Sequence, residues 1–145
     1  MAINAEQRRL VLSRAVGCCE YCLCQARYSA DSFSVEHIIP RSGGGTDVVS
    51  NLALACQGCN NRKFVSVHAT DPLTGRTAPL YHPRRDRWEQ NFAWSADFLT
   101  ICGLTPSGRA TVEKLRLNRD AVVNLRRVLR GVAEHPPLIA PGERS

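Results

Sequence analysis

Residues 32 to 39 alternate, with Phe33, Val35 and His37 on one face and Ser34 and Glu36 on the other, the period-two pattern of a strand. Pro40 stops that strand, and Gly43, Gly44 and Gly45 form a loop that supplies the positive φ values of a sharp turn. Residues 51 to 55 read as a second short strand, followed by CQGCNNRK, a knuckle entering a helix. Upstream, residues 4 to 16 read as a helix, with Asn4 and Gln7 spaced as a capping box and Gly17 at the end. CCEYCLC (18 to 24) is too rich in cysteine for regular structure. Downstream, residues 71 to 83 are rich in Pro, Gly and Thr and read as a surface connection. Residues 91 to 105 read as a β-hairpin turning at Ser95, Ala96 and Asp97. Thr105 and Pro106 open a helix. Asn118 is expected to cap another, running to about Val132, with Val122, Leu125, Val128, Leu129 and Val132 on its apolar face. The pattern predicts an α+β protein with three parts: a core over 1–70, an extension over 71–134 of loop, hairpin and helices packed on the core, and a flexible tail over 135–145.

Length and composition narrow this picture. A chain of 145 residues favours one domain with a modest core, in which an extra staple is expected. The 19 basic against 13 acidic residues leave a charge of +6, which suits a polyanionic partner such as nucleic acid, although a solvated basic surface satisfies charge alone equally well. No segment approaches the ~18 apolar residues of a membrane helix. The N-terminus MAINAEQRRLVLSRA is charged too early for a signal peptide, so a cytoplasmic, reducing location is expected. In such a compartment the seven cysteines read as metal ligands or buried thiols rather than disulfides.

Cys19-x-x-Cys22 and Cys56-x-x-Cys59 are two short-loop pairs, each able to turn two thiolates toward one ion, and together they make a tetrahedral Zn²⁺ site. Four thiolates leave no open position, so this zinc is structural. Cys18 or Cys24 could replace a member of the first pair; Cys19 and Cys22 are preferred because their spacing matches the second pair. Cys102, alone in an apolar strand, is expected in the core.

EHIIPRSGGGTDVVSNLALACQGCNNRK resembles the HNH endonuclease motif: an acidic residue beside a histidine, I-P-x-S-x-G-G, N-L-x-L-x-C-x-x-C, then Asn or His. The resemblance is strong over residues 18 to 63, and residues 80 to 117 look like the C-terminal extension of a group of small bacterial HNH proteins. It implies a ββα-metal core, also called a His-Me finger, that hydrolyses phosphodiester bonds. On that resemblance His37 is the general base, and Glu36 and Asn60 hold one Mg²⁺ or Mn²⁺. Asn51 ties the loop together and orients the base. The chemistry agrees: histidine exchanges a proton near neutral pH, and oxygen donors suit hard divalent ions. Adjacent strand residues point to opposite faces, so a bend after His37 is implied if both it and Glu36 serve one phosphate. The chain departs from the commonest pattern by carrying Glu at the acidic position and Asn at the third letter, and Asn61 could exchange roles with Asn60.

Arg41, Arg62 and Lys63 flank this site as phosphate-contact candidates. Arg84, Arg85 and Arg87, and Arg126, Arg127 and Arg130, are as suited to a solvated face, and His82 to a surface role. The expectation is an HNH nuclease that nicks nucleic acid, preferably DNA, with no membrane contact and an oligomeric state that the residues do not set. The alternative is a zinc-stapled binding module on the same scaffold without cleavage.

Overall fold

The computed structural model describes residues 3–138. The first helix, α1 (Ala5–Arg14), begins at the expected capping box: Asn4 Oδ1 accepts the Gln7 N–H at 2.8 Å, and Gln7 Oε1 accepts the Asn4 N–H at 3.0 Å. Strand β1 (Ser34–His37) pairs antiparallel with β2 (Leu52–Ala55), from Ser34 opposite Ala55 to His37 opposite Leu52. All four residues of β2 are buried, and Leu52 and Leu54 enter a core with Val11, Tyr21, Trp88, Phe92, Ile101, Leu115 and Leu117. Helix α2 (Gln57–Lys63) follows immediately, with Cys56 as its N-cap.

The loop between β1 and β2 is shaped by its glycines, though not all in the expected way. Gly44 takes φ +90°, the turn conformation that favours glycine. Gly45 is needed for closeness instead, since a Cβ there would lie 1.7 Å from the Ile39 carbonyl oxygen. Gly43 meets neither condition and sits in a 3-10 turn, Arg41–Gly43.

The segment 71 to 83 is more ordered than a surface connection. Strand β3 (His68–Thr70) pairs with β4 (Thr77–Pro79), so this hairpin straddles residue 70, and Leu80 and Tyr81 behind it are buried. Its turn is built on Asp71, which is fully buried. The Asp71 carboxylate accepts two bonds from the Arg109 guanidinium, both 2.9 Å, one from Leu73 N at 3.0 Å and one from the Thr74 hydroxyl at 3.0 Å. The Arg109 contact, aided by those to Leu73 and Thr74, holds its carboxyl well below the usual carboxylate range. Because folding lowers this pKa, the stabilisation is complete above the unfolded value near pH 4 and is lost as pH falls toward the folded one. Asp71→Asn is therefore expected to lower the urea midpoint at pH 7 and to flatten its decline between about pH 4 and pH 2, as followed by circular dichroism.

The remaining elements are α3 (Trp88–Asn91), β5 (Phe92–Trp94) paired with β6 (Ile101–Gly103), α4 (Pro106–Leu115) and α5 (Asp120–Gly131). Thr105 caps α4 as expected, its hydroxyl accepting the Gly108 N–H at 2.9 Å. Three expectations are corrected here. Cys102 is exposed, because strand alternation turns Ile101 into the core and Cys102 out. Asn118 does not cap α5: its amide pairs with the backbone N–H and carbonyl of Ile101, bridging β6 (2.7 and 2.8 Å). The inward face of α5 is Val122, Arg126 and Leu129, while Val128 and Val132 are exposed.

Arg126 occupies a core position because it satisfies four acceptors: the carbonyl oxygens of Leu99, Leu117 and Cys22 and the Asn118 amide oxygen. The Arg84 side chain is likewise mostly covered, paired with Glu20, which is itself fully buried. Neither arginine forms part of a solvated basic face. At the start of the expected tail, His135 packs edge-on against Trp94 and bonds the Phe98 carbonyl at 2.7 Å. Residues 139 to 145 of that tail lie outside the described residues.

Candidate functional site

The two cysteine pairs converge. The sulfurs of Cys19, Cys22, Cys56 and Cys59 all lie within 4.8 Å of one another, and Cys22 Sγ and Cys56 Sγ are 3.7 Å apart. Four thiolates bound tetrahedrally at about 2.3 Å would lie about 3.8 Å apart, so the cluster is compatible with a structural metal such as zinc. Local structure explains the convergence. The first knuckle is pinned to β2 by Glu20, whose N–H donates to Leu54 O and whose carboxylate accepts Leu54 N at 2.8 Å. The second knuckle is the first turn of α2. Cys24 Sγ comes within 3.2 Å of Cys22 Sγ, whereas Cys18 turns toward the Val16 carbonyl.

A cation from the extension completes this cluster, and nothing in the local spacing announces it. Arg119, at the start of α5, donates to Cys56 Sγ at 3.3 Å and to Cys59 Sγ at 3.6 Å. Burial alone would lower its guanidinium pKa, but the thiolates of Cys59 and Cys22 raise it above the ordinary value. Gly58 makes room for this contact, since a Cβ there would lie 2.5 Å from an Arg119 nitrogen. A four-thiolate divalent site carries net negative charge, and the guanidinium offsets it. Arg119→Met is expected to weaken zinc binding by roughly 10–100-fold, measured by competition with a chromogenic chelator.

An open cleft of about 520 Å³ lies at the end of the β1–β2 hairpin, lined by Glu36, His37, Pro40, Arg41, Asn60 and Phe64, among others. Glu36, His37 and Asn60 are all among its lining residues, and Asn61 is not. His37 donates its Nε2–H to Asp47 Oδ1 at 2.7 Å, and Arg41 donates to the same oxygen at 2.9 and 3.2 Å. These two partners draw the Asp47 carboxyl below its ordinary pKa. Asp47 was not among the residues singled out from the sequence. The available signal was an acidic residue ten positions after the histidine, beyond glycines that fold the chain back.

Glu36 is buried rather than free. Its Oε1 accepts the Tyr21 hydroxyl, and its Oε2 accepts the Lys63 ammonium at 3.1 Å. Burial pushes the Glu36 carboxyl up, while Lys63 and Tyr21 pull against that rise. Lys63, expected as a phosphate contact, is 2% exposed, and also donates to the carbonyls of Ile38 at 2.8 Å and His37 at 3.4 Å. Its side chain ties the end of α2 to the end of β1 instead of facing solvent. Arg41 remains at the cleft, and Arg62 is exposed, donating to Gly58 O along its own helix.

Asn51 lies behind the cleft and closes the loop. Its Oδ1 accepts Ile39 N at 2.9 Å, and its Nδ2 donates to Ile39 O at 3.0 Å and Thr46 O at 2.9 Å. Those bonds turn the chain just beyond His37 and bring Asp47 round to it. His82 lines a different cavity, with Arg85 and Ser107.

Searches among curated proteins and among solved structures returned no match. The resemblance read from the motif is matched independently: residues 19–64, from Cys19 to the residue after α2, fit the family model described as HNH endonuclease, and this segment holds the cysteine cluster, His37 and all the lining residues of the cleft but Val65.

Proposed function

We propose that the protein is a metal-dependent endonuclease that hydrolyses phosphodiester bonds and nicks DNA. The observation that carries this reading is His37, paired with Asp47 and lining a cleft with Glu36 and Asn60, inside the segment that matches the HNH model. With Nε2–H committed to Asp47, the neutral imidazole keeps its acceptor lone pair on Nδ1. His37 takes a proton from water through that nitrogen. The hydroxide oxygen bonds to phosphorus in line, and the 3′ oxygen departs with the electron pair of the broken P–O bond. Asp47 holds the ring and stabilises the imidazolium that forms, as a carboxylate does behind a catalytic histidine.

Glu36 and Asn60 would hold the divalent ion. Their oxygen atoms suit Mg²⁺ or Mn²⁺, and Tyr21 and Lys63 use only part of the acceptor capacity of the Glu36 carboxylate. The bound ion supplies charge neutralisation at the phosphate and the leaving oxygen. Zinc at the four cysteines is structural, and a reducing, cytoplasmic setting that keeps those thiols free is part of this reading. The extension contributes to the cysteine cluster through Arg119.

One observation favours a second reading. The Glu36–Lys63 pair already neutralises the acidic position, as a scaffold kept for nucleic-acid binding without cleavage would allow. Supercoiled plasmid incubated with protein that keeps its cysteine-bound metal, with and without added Mn²⁺, separates the two. Nicking that requires Mn²⁺ is expected; binding without nicking at any Mn²⁺ concentration supports the binding module. None of the helices among the described residues is long and apolar enough to cross a membrane.

A further inference from the structure

Helix α2 ends in an unusual way. Phe64 follows Lys63 with φ +48° and ψ −116°, a backbone conformation that L side chains rarely adopt and that suits glycine. Strain of this kind persists only where the surroundings impose it, and it concentrates at functional sites. The surroundings here are visible. Lys63 is anchored to Glu36 and to the carbonyls of His37 and Ile38, Phe64 N bonds Asn60 O at 2.9 Å, and Ser66 N bonds Lys63 O at 2.9 Å. The chain must therefore reverse at position 64.

The residue placed at that reversal is a large aromatic that the fold does not bury. Phe64 is 75% exposed, and Val65 beside it is 46% exposed. Both line the same cleft as His37, Asn60 and Arg41. Core packing does not account for the ring, and its backbone position would be relaxed by glycine. What remains is a contact outside the chain, and the cleft it overhangs is the one read above as holding a phosphodiester.

We propose that Phe64 is a base-contacting wedge, which enters the stack of the bound nucleic acid beside the phosphate presented to His37 and packs its ring on the exposed base. This rests on the nuclease reading for the identity of the strand. Aromatic and other apolar side chains partially unstack base steps in this way, and base–aromatic stacking tolerates any sequence. The wedge therefore gives local distortion at the cut without sequence specificity, which fits a chain whose cleft carries arginine but no base-reading module. Val65 widens the apolar edge that enters the step.

The test uses the full chain with its cysteine-bound metal in place and no Mg²⁺ or Mn²⁺ added, so that binding is read without cleavage, and duplexes carrying one 2-aminopurine at successive positions. The wild-type protein is expected to raise the fluorescence at one or two adjacent positions as that step opens. Phe64→Gly is expected to abolish the rise and weaken binding between about fivefold and a hundredfold, while its melting temperature holds or increases because the strained residue is gone. Phe64→Trp keeps both binding and the fluorescence signal. A Phe64→Gly protein that binds as tightly, with the same fluorescence, overturns the wedge. A wild-type protein that binds no DNA overturns the functional reading along with it. One that binds and nicks normally, with Phe64→Gly indistinguishable from it, refutes the wedge alone.

Discussion

His37→Ala is expected to reduce metal-dependent nicking by roughly 10²–10⁴-fold, the contribution of one positioned general base. The expectation comes from geometry more than from residue type. His37 reaches the cleft with Nε2 held by Asp47 at 2.7 Å, and no other histidine lines that cleft. Removal of the ring should leave the core intact, because the His37 side chain is partly exposed and outside the buried cluster. Zinc content and the unfolding midpoint should therefore stay at their wild-type values while the first-order nicking rate falls. Asp47→Asn belongs to the same experiment. It should lower the turnover rate with little change in the half-saturating DNA concentration, since it acts on the ring rather than on the strand. Wild-type turnover in His37→Ala would sink the mechanism outright.

The second large effect is on folding. Removal of the cysteine-bound metal with a strong chelator, or Cys59→Ser, is expected to abolish the cooperative unfolding transition altogether. The four thiols are 0–6% exposed and are themselves members of the main core cluster, packed with Tyr21, Leu52 and Leu54. Zinc in such sites contributes about 10–16 kcal/mol at neutral pH, whereas a domain of this size is stable by about 5–15 kcal/mol in total. The comparison leaves nothing to hold the knuckles once the metal is gone. Cys18→Ser should keep one tightly bound zinc, because Cys18 Sγ turns away from the cluster. Cys24→Ser should do the same, because the cluster is complete without it. Metal content and circular dichroism on the same samples decide the matter, and a metal-free protein that still melts cooperatively would refute the staple.

The features that sequence reading recovered are those written in local spacing. The Asn4–Gln7 box, the Thr105 cap, the β1–β2 hairpin and the two CxxC pairs each need only a few neighbouring residues to be recognised, and each is found where it was expected. The family resemblance depends on a longer run, but still on one continuous segment. What escaped were charges whose partners lie far along the chain. Glu36 was read as a ligand of a divalent ion, on the strand face opposite His37, and its burial beside Lys63, 27 residues later, was not foreseen. Arg84 and Arg126 looked as suited to a solvated face as to a contact, and Arg119 was not singled out, yet each is drawn inward by Glu20, by thiolates or by backbone carbonyls that no local pattern connects to it. Cys102 and Asn118 were misjudged for a related reason: which face of β6 is covered depends on how α4 and the segment leading into α5 pack against it.

The Arg126 contact has a consequence for the order of events during synthesis. Its guanidinium donates to the carbonyl of Cys22, 104 residues earlier, and Gln25 and Arg27, just beyond the first knuckle, bond Glu134. At about 5–20 residues per second, the ribosome emits the first knuckle roughly 5–20 s before the residues that close over it. Throughout that interval the cysteines of the candidate metal site are present without their outer cover, so the nascent chain meets metal ions and oxidants in an unfinished state.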